Sequence, residues 1–544
     1  MSFEDYGVGA RVGLAPALAV SQGFLNADAR GGLSGGKESL TIAEAASQII
    51  RGLPGWSTTL GQPFTLTYGF RSTAPAAMPD DTGGFSRFNS AQIAQAELAL
   101  KGWSDVANIA FVRVGTGSSG EGAYSDAATV LFGNYSSGGG EDTAAFAFYP
   151  GSTASASSAG DVWVNSTLGY NQAPTIGNFG GLSLIHEIGH AIGLAHPGDY
   201  DVGDDQEATY AANAEYYEDS MQYTVMSYFL ESQTGGDFGP AYPAAPMLDD
   251  IAAAQLEYGA NMTTRTGDTV YGFNATADRP WFAAVSPASK LVFAVWDAGG
   301  SDTFDFSGYS MAQTIDLRPG FFSNVGGLVG NVAVAADVSI ERALGGSGAD
   351  TIYGSDYDNV IIGGDGQGYL RGGGGADHMA GGAQFDDING NMGADTEWGG
   401  AGGDWVVGGK DNDQLHGEAG DDIVYGNLGD DTGDGDVGAD WVRGGQGDDT
   451  IGGGAGDDFM SGDKGTDLVS GGSGADIFNF FAGAGLDRVI DFSVAEGDRV
   501  RIEGGGGYSL AQSGGDVVIS LGGGDDMVLA GVQLAALPAG WIVA

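Results

Sequence analysis

The chain has 544 residues, of which 42% are hydrophobic, so it is long enough for about two to four domains with substantial cores. Its formal net charge of −51 argues against nucleic acid or an anionic membrane as a partner. It contains no cysteine, which excludes disulfides and thiolate metal ligands.

An N-terminal stretch, residues 1–34, precedes the first predicted elements. It is rich in small residues and poorly patterned, and we predict that it is a propeptide or leader followed by a loose segment. It lacks the basic start of a secretory signal peptide. No part of the chain approaches the roughly 18 consecutive apolar residues of a membrane helix, so membrane insertion is not expected.

Residues 35–260 alternate between helical and extended patterns. Helices are predicted at Glu38–Leu53, Asn89–Trp103 and Pro246–Tyr258, and strands at Phe64–Phe70, Phe111–Val114, Thr129–Phe132 and Asp161–Asn165. We expect Ser90 to cap the second helix, Gly259 to end the third, and Gly180-Gly181 to introduce a further helix. This order predicts an α/β domain. Short strands from Thr266 onward predict a second, all-β domain after it.

The most specific motif is HEIGHAIGLAH, which begins at His186 and has the form H-E-x-x-H-x-x-G-x-x-H. On a helix, His186 and His190 lie on one face, one turn apart, so both can reach one metal ion. Gly193 can adopt the left-handed conformation that ends the helix and returns His196 as a third ligand. Three neutral nitrogens and one open position predict a catalytic Zn²⁺ site, with Glu187 within reach of a water on the metal.

A chance HExxH in a core helix is the alternative interpretation of this motif. The extended form makes that alternative improbable, because three of only five histidines in the chain fall in this segment. The other two, His378 and His416, fall at unrelated positions of a repeat.

An uninterrupted nine-residue repeat runs from Gly345 to Asn479 through fifteen units such as GGSGADTIY and GGQGDDTIG. Position one is always Gly, position six is Asp in thirteen units, and position eight is a sizeable apolar residue in thirteen. The exceptions are Asn359 and Gly368 at position six and Glu397 and Gly433 at position eight. The region carries 25 Asp and 2 Glu against 2 Arg and 2 Lys, so the negative charge of the chain is concentrated here.

This repeat predicts a parallel β-roll that holds calcium between its turns. The GGxGxD half forms a turn whose carbonyl and carboxylate oxygens suit Ca²⁺, and the apolar residue of the next strand points inward. Because two units make one coil, an ion lies between units n and n+2, and we expect calcium binding and folding to be coupled. The alternative is a disordered Gly/Asp linker. The nine-residue spacing holds without interruption over fifteen units, which disfavours that alternative.

The aspartates at position six are the predicted calcium ligands of the roll. They are Asp350, Asp377, Asp386, Asp395, Asp404, Asp413, Asp422, Asp431, Asp440, Asp449, Asp458, Asp467 and Asp476. We expect gaps in occupancy at the irregular units, which contain Asn359, Gly368, Gln384 and Gly433.

With these motifs together, the chain resembles the serralysins, secreted zinc proteases of the metzincin class. The resemblance rests on HEIGHAIGLAHPG at 186–198, TVMSY at 224–228, PMLDDIAAAQLEYGANMTTRTGDTVYGF at 246–273 and VWDAGGSDTFDFSGY at 295–309. It implies an α+β or α/β metzincin catalytic domain followed by an all-β parallel β-roll domain. The implied boundaries are 35–260 for the catalytic domain, 261–344 for a β-strand junction packed on the roll, 345–479 for the repeats, and 480–544 for capping strands and a C-terminal secretion signal.

The resemblance also implies roles for single residues. His186, His190 and His196 would bind one zinc ion, and Glu187 would be the general base. Tyr228 would be a further ligand that moves off the metal to stabilise the reaction intermediate, and Met226 would form an apolar floor beneath the ligands; a buried core pair is the alternative for these two residues. One calcium site joining the two domains is implied at Arg265, Gly267, Thr269, Asp297, Gly299 and Asp302, and another at Gly300, Asp302, Ser339 and Glu341. Gly346, Gly348 and Asp350 would begin the ion-binding turns of the roll.

The implied protein is a secreted, extracellular, calcium-stabilised zinc endopeptidase of broad specificity. It would be monomeric, exported by a type I secretion system, and a target for a proteinaceous inhibitor, with protein or peptide substrates. Fifteen repeat units exceed the usual serralysin roll, and no acidic residue directly precedes the apolar end at 540–544. The alternative is a calcium-dependent surface or matrix-binding protein whose protease domain is incidental, or latent behind residues 1–34.

Overall fold

The structure, a computed structural model, describes residues 23–51, 55–79, 82–138, 143–151, 158–200, 208–505 and 507–543. Helices α1 to α6 span Ile42–Ile49, Ser90–Val106, Gly169–Gln172, Phe179–Ala191, Tyr210–Asn213 and Leu248–Tyr258. Strands β1 to β7 span Leu33–Ser34, Lys37–Glu38, Phe64–Phe70, Ile109–Arg113, Val130–Tyr135, Ala145–Ala147 and Val162–Asn165.

The first part of the chain is an α/β unit around a five-stranded sheet. The strand order is β4-β3-β5-β7-β6, and only β6 runs antiparallel to its neighbour. Helices α2 and α4 pack together, and Trp103 of α2 donates its indole N–H to the Ile185 carbonyl of α4 at 3.1 Å. This sheet and helix pair hold the histidine motif against a buried apolar core.

Four helix starts differ from the prediction, the last being that of α6, which begins at Leu248 and not at Pro246. Residues 38–41 are not helical: α1 begins at Ile42, because Thr41 and Glu44 form a reciprocal capping box. Asn89, not Ser90, caps α2, since its side chain accepts hydrogen bonds from Ala91 and Gln92.

The glycine pair predicted to precede α4 lies inside that helix, which begins at Phe179 with Asn178 as its cap. A Cβ on Gly180 would stand 2.2 Å from the Tyr170 carbonyl oxygen, and one on Gly181 would stand 2.2 Å from that of Thr175. The two glycines therefore permit close packing of the preceding segment and do not act as a helix boundary.

The described part of the predicted leader, residues 23–34, is folded and not loose. Phe24 packs edge-on against Phe322 with 5.6 Å between ring centroids, and Arg30 is buried. Its guanidinium donates to both carboxylate oxygens of Asp249, at 2.8 and 2.9 Å. The predicted leader therefore concerns only residues 1–22, which lie outside the described residues.

The second part of the chain is built from short strands. Strands β8 to β14 span Val270–Gly272, Phe293–Val295, Thr303–Asp305, Thr314–Asp316, Phe322–Ser323, Val332–Val334 and Arg342–Leu344. Strands β15 to β24 span Asp350–Tyr353, Val360–Gly364, Gly368–Gly373, His378–Gly382, Asp387–Met392, Thr396–Gly402, Trp405–Lys410, Gln414–Gly420, Ile423–Leu428 and Thr432–Asp434. Strands β25 to β35 span Trp441–Gln446, Thr450–Ala455, Phe459–Lys464, Leu468–Ser473, Ile477–Phe480, Leu486–Val489, Arg499–Ile502, Ser509–Ser513, Asp516–Gly522, Asp525–Leu529 and Ile542–Val543.

Strands β9, β12 and β13 form a separate three-stranded sheet, and the other strands of this part form two long, mostly parallel sheets that fit the predicted β-roll. One sheet has 14 strands and the other 11, and strands of the repeat enter the two sheets alternately. Each repeat strand pairs with the strand eighteen residues further on, as Val360 pairs with His378 and Asp387 with Trp405. Strands β8, β10 and β14 extend the larger sheet ahead of the repeat, while β30, β33 and β34 continue it afterwards. The domain boundaries drawn from the sequence stay predictions.

Candidate metal centres

Helix α4 and the turn after it bring the three motif histidines together. His186 and His190 lie one helical turn apart, and both are buried. Gly193 has a φ of +104°, which is the left-handed turn predicted at this position. The turn returns His196, so that the three side chains form a cluster able to hold a metal ion.

The Nε2 atoms of the three histidines converge on one point. Nε2 of His196 lies 3.2 Å from Nε2 of His186 and 3.0 Å from Nε2 of His190. A tetrahedral ion with Zn–N bonds of about 2.0–2.1 Å has edges of about 3.3 Å, so the donors fit Zn²⁺. With three protein nitrogens, one tetrahedral position is left for a water or substrate.

Backbone carbonyls fix the tautomers of the two helical histidines. Nδ1 of His186 lies 2.7 Å from the Val225 carbonyl oxygen, and Nδ1 of His190 lies 2.7 Å from that of Leu194. Since a carbonyl only accepts, Nδ1 carries the proton and Nε2 presents its lone pair to the cluster. Both rings are therefore oriented before any metal binds.

Burial also sets the charges of the cluster. It lowers the pKa of His186 to about 4 and that of His190 to about 3, so both are neutral ligands at pH 7. Burial lowers the pKa of His196 in the same direction. Burial raises the pKa of Glu187 to about 8, and among the described residues its buried Oε2 has no hydrogen-bond partner. A divalent cation beside this carboxyl group would favour its ionised form.

Met226 packs against helix α4, which carries His186 and His190. It is fully buried, and a Cβ added to Gly189 of α4 would stand 2.4 Å from its sulfur. Asp250 holds the turn that carries Met226: its carboxylate accepts from the Thr224 hydroxyl at 2.6 Å and from the Val225 N–H at 2.7 Å. Because the Val225 carbonyl also receives His186, Asp250 supports the first histidine through this turn.

Tyr228 lies next to the histidine cluster. Among the described residues, it makes no hydrogen bond to the three histidines. Its ring centroid is 4.4 Å from that of His196, and its side chain is 54% exposed, so it is not a buried core residue. Partial burial and the neighbouring Glu187 raise the pKa of Tyr228 to about 12, which keeps its hydroxyl proton in place at neutral pH.

Tyr200 and Asp219 form a second support that the sequence analysis did not identify. The Tyr200 ring stacks on His196 at 5.1 Å and 29°, and its hydroxyl donates to Asp219. Asp219 also accepts from the Ser227 hydroxyl at 2.7 Å, next to Tyr228. This buried carboxylate therefore connects the third histidine to the segment that carries Tyr228.

The residues expected to form a calcium site between the two domains do meet at one place. Asp302 Oδ1 accepts from the Thr269 N–H at 2.8 Å, and its Oδ2 is buried without a partner. Asp297 and Asp302 repel one another, which together with burial raises the pKa of Asp302 to about 7. The Gly267 carbonyl accepts from the Thr269 hydroxyl at 2.9 Å, and Arg265 has a left-handed φ of 49°. Gly299 donates its N–H to Asp297 at 3.0 Å.

The second expected group is assembled in part. Glu341 accepts from the Asp302 N–H at 2.6 Å, and Gly300 packs against the Gly267 backbone. Among the described residues, Ser339 makes no hydrogen bond to this group. Three of the four expected members therefore lie together around Asp302.

The roll aspartates form a ladder of hydrogen bonds along the repeat. From Asp377 to Asp458, the N–H of each repeat aspartate donates to Oδ1 of the aspartate eighteen residues further on, as from Asp377 to Asp395 at 2.8 Å and from Asp422 to Asp440 at 2.8 Å. Within the part of the chain that the structure describes, the Oδ2 atoms are buried and lack a partner at Asp377, Asp386, Asp395, Asp404, Asp413, Asp422, Asp431, Asp440, Asp449, Asp458, Asp467 and Asp476. Burial raises the pKa of these groups, for example to about 8 at Asp413. A row of unpartnered carboxylate oxygens fits a row of bound cations.

The first turn of the roll differs from the others. Asp350 Oδ2 accepts from the Gly346 N–H at 2.6 Å, and its Oδ1 accepts from the Gln313 N–H at 2.8 Å. Gly348 packs against the backbone of Met311. Both oxygens of Asp350 are thus satisfied by the protein, which makes it the weakest of the expected aspartate ligands.

In the described ranges, no helix is both long enough and apolar enough to span a bilayer.

Comparisons with known proteins agree with this architecture. A family model described as "Peptidase M10 serralysin C terminal" matches residues 260–504. "Serralysin G" of Dickeya chrysanthemi is 48% identical over 341 residues, which cover 61% of this chain and 69% of that protein. "Metallopeptidase AprA" of Pseudomonas marginalis is 45% identical over 333 residues, 60% of this chain and 68% of that protein. Among solved structures, the match to the extracellular lipase LipA of Serratia marcescens covers 38% of this chain and 41% of the lipase chain at 19% identity, with a TM-score of 0.18.

Proposed function

The chain belongs to the serralysin family, and on that premise we propose that it is a secreted, zinc-dependent endopeptidase with a metzincin catalytic domain. The observation that carries the proposal is the convergence of three Nε2 atoms beside the buried Glu187, whose Oε2 has no hydrogen-bond partner among the described residues. A pure binding module would need neither this carboxylate nor Tyr228. The proposal therefore takes His186, His190 and His196 as the zinc ligands.

The reaction proposed is hydrolysis of a peptide bond. When bound, zinc supplies a Lewis acid that polarises the scissile carbonyl and lowers the pKa of water. Glu187 takes a proton from the attacking water at its carboxylate and passes it to the leaving amine nitrogen. The Tyr228 hydroxyl, which is protonated at neutral pH and exposed toward solvent, donates to the oxygen on which negative charge develops.

The edge strand β6 is the proposed docking place for substrate. It is the outermost strand of the five-stranded sheet, it packs next to α4, and the nearby Tyr149 ring lies 5.2 Å from that of His190. An extended peptide can pair with such an edge through main-chain hydrogen bonds, which any sequence provides. This favours broad specificity among protein substrates.

We assign calcium a stabilising role in the roll and at the junction around Asp302. The support is the set of buried carboxylate oxygens without partners, which would otherwise be charged groups without compensation. Export by a type I system, a proteinaceous inhibitor and a monomeric state stay predictions from the resemblance.

Casein cleavage tests the proposal. The wild-type protein should cleave casein, lose activity with phenanthroline and regain it with added zinc. Glu187→Ala should retain one zinc per chain, measured by elemental analysis, yet lose activity by orders of magnitude. Full cleavage by Glu187→Ala, or activity that phenanthroline leaves untouched, would reject the zinc mechanism.

A further inference from the structure

Glu397 is a buried acid inside the β-roll. It stands at position eight of its unit, where thirteen of fifteen units carry a sizeable apolar residue. Strand pairing places it between Met379 and Leu415 on the inner face of the larger sheet, and its side chain is 0% exposed. The apolar core is divided here: one cluster reaches Ile388, and the next contains Val406 and Leu415.

Nothing in the described protein compensates a charge on Glu397. Neither carboxylate oxygen has a hydrogen-bond partner. The acids Asp395 and Asp413 lie close enough to repel a negative charge on it. The backbone N–H groups of Gly390 and Val407 lie near this carboxylate without forming a hydrogen bond to it. An unpaired ion in the interior costs several kcal/mol, so the group needs either a proton or a cation.

The carboxylate of Glu397 shares its surroundings with the repeat ligand Asp395. A Cβ built on Gly390 would stand 2.0 Å from Asp395 Oδ2 and 2.7 Å from Glu397 Oε1, so both unpartnered oxygens border one small space. At the corresponding Gly372 and Gly381, the oxygen beside the repeat aspartate is instead a backbone carbonyl, at 2.8 and 2.4 Å from the built Cβ. Glu397 therefore places a carboxylate oxygen where the turns at Gly372 and Gly381 have a neutral backbone carbonyl oxygen.

We propose that Glu397 is a calcium ligand, which with Asp395 forms a two-carboxylate site inside the roll. This rests on the proposed binding of calcium by the repeat, and it goes beyond the repeat pattern because position eight is an apolar position. Calcium affinity rises with the number of charged oxygen ligands, so this site holds its ion more tightly than sites that lack the added acid. The ion also compensates the charge that divides the core.

Calcium titration of the full chain tests the assignment. The protein is prepared with the catalytic base replaced, Glu187→Ala, so that it does not digest itself. Bound calcium per chain is counted by native mass spectrometry across free calcium set with EGTA buffers. Two variants are compared with this parent: Glu397→Gln, which keeps the shape and removes the charge, and Glu397→Leu, which restores the apolar residue type of the repeat. Met379→Leu, on the neighbouring strand, is the matched control.

As free calcium is lowered, the parent and Met379→Leu should each keep one calcium ion that both Glu397 variants lose. They should release this ion only at a free calcium concentration at least tenfold lower than the one at which the Glu397 variants release it. Superimposed titration curves for all four proteins, with calcium still bound, would overturn the assignment and identify Glu397 as a neutral, protonated acid. A parent that binds no calcium at any concentration would overturn the calcium role of the roll itself. Folding is not in question for Glu397→Leu, because the repeat carries residues of this type at the same position.

Discussion

The buried ion pair between Arg30 and Asp249 gives the sharpest stability prediction. Arg30 donates to both oxygens of Asp249 at 2.8 and 2.9 Å and to the Leu40 carbonyl at 2.7 Å, and it lies 3.7 Å from Glu218. Glu218 keeps its own donors, the Ser39 hydroxyl and the Leu40 N–H. Asp249 would keep no side-chain partner, so Arg30→Ala leaves one buried carboxylate uncompensated.

Breaking a buried pair on one side costs about 3–5 kcal/mol. For a domain of this size, each kcal/mol lowers the transition temperature by about 2–4 °C, so Arg30→Ala should lower that of the first domain by about 10 °C. Calorimetry in the Glu187→Ala background with calcium present measures the shift and avoids self-digestion. Replacing both partners, as Arg30→Met with Asp249→Leu, should recover most of the loss, because no lone charge remains buried.

The control is Arg87→Ala, which removes an exposed pair with Glu121 at 2.8 Å, where the two side chains are 36% and 85% exposed. Solvent screens such a pair, so its loss should leave the transition almost unchanged. Equal shifts for Arg30→Ala and Arg87→Ala would refute the reasoning, and would show that residues 23–34 are not part of the stable fold.

Three further predictions concern the metal sites. Gly189→Ala should force a methyl group onto the Met226 sulfur, now 2.4 Å from that position, and lower the zinc content after dialysis, whereas Gly32→Ala points into open space and should not. Tyr200→Phe should keep its ring against the third histidine but deprive Asp219 of a donor, costing about 1–3 kcal/mol of stability by thermal unfolding without loss of zinc. EGTA should abolish much of the β-sheet circular dichroism of the inactive full chain, and millimolar calcium should restore it; an unchanged spectrum would contradict coupling between calcium and folding.

The parts of the site that the sequence predicts are those in which local spacing determines geometry. A spacing of four residues from His186 to His190 places both on one helical face, and the turn at Gly193 returns His196. The nine-residue period likewise determines which side chains line the roll, because alternate residues of a strand face opposite sides. No distant contact is needed for either inference.

Long-range partners are the part that spacing does not reveal. Asp249 and Asp250 are adjacent in the first turn of α6, where both suit the positive end of the helix. In the structure Asp249 pairs with Arg30, 219 residues away, while Asp250 holds the turn around Val225. The sequence pattern gives the same prediction for both acids. Only the tertiary packing shows that Asp249 forms an ion pair and that Asp250 supports the candidate metal centre.

The strand register of the repeat keeps Glu397 at a buried position where an acidic side chain is unfavourable. Turning this acid toward solvent would need a register slip of one residue, which would move its strand neighbours Thr396 and Trp398 into the core. The slip would also break the ladder in which the Asp377 N–H donates to Asp395 and that of Asp395 to Asp413, at 2.8 and 2.9 Å. The ladder thus keeps the carboxylate inside, next to a repeat ligand whose free oxygen also requires a cation. A single calcium ion that satisfies both groups removes the conflict, whereas a proton on Glu397 would leave Asp395 Oδ2 uncompensated.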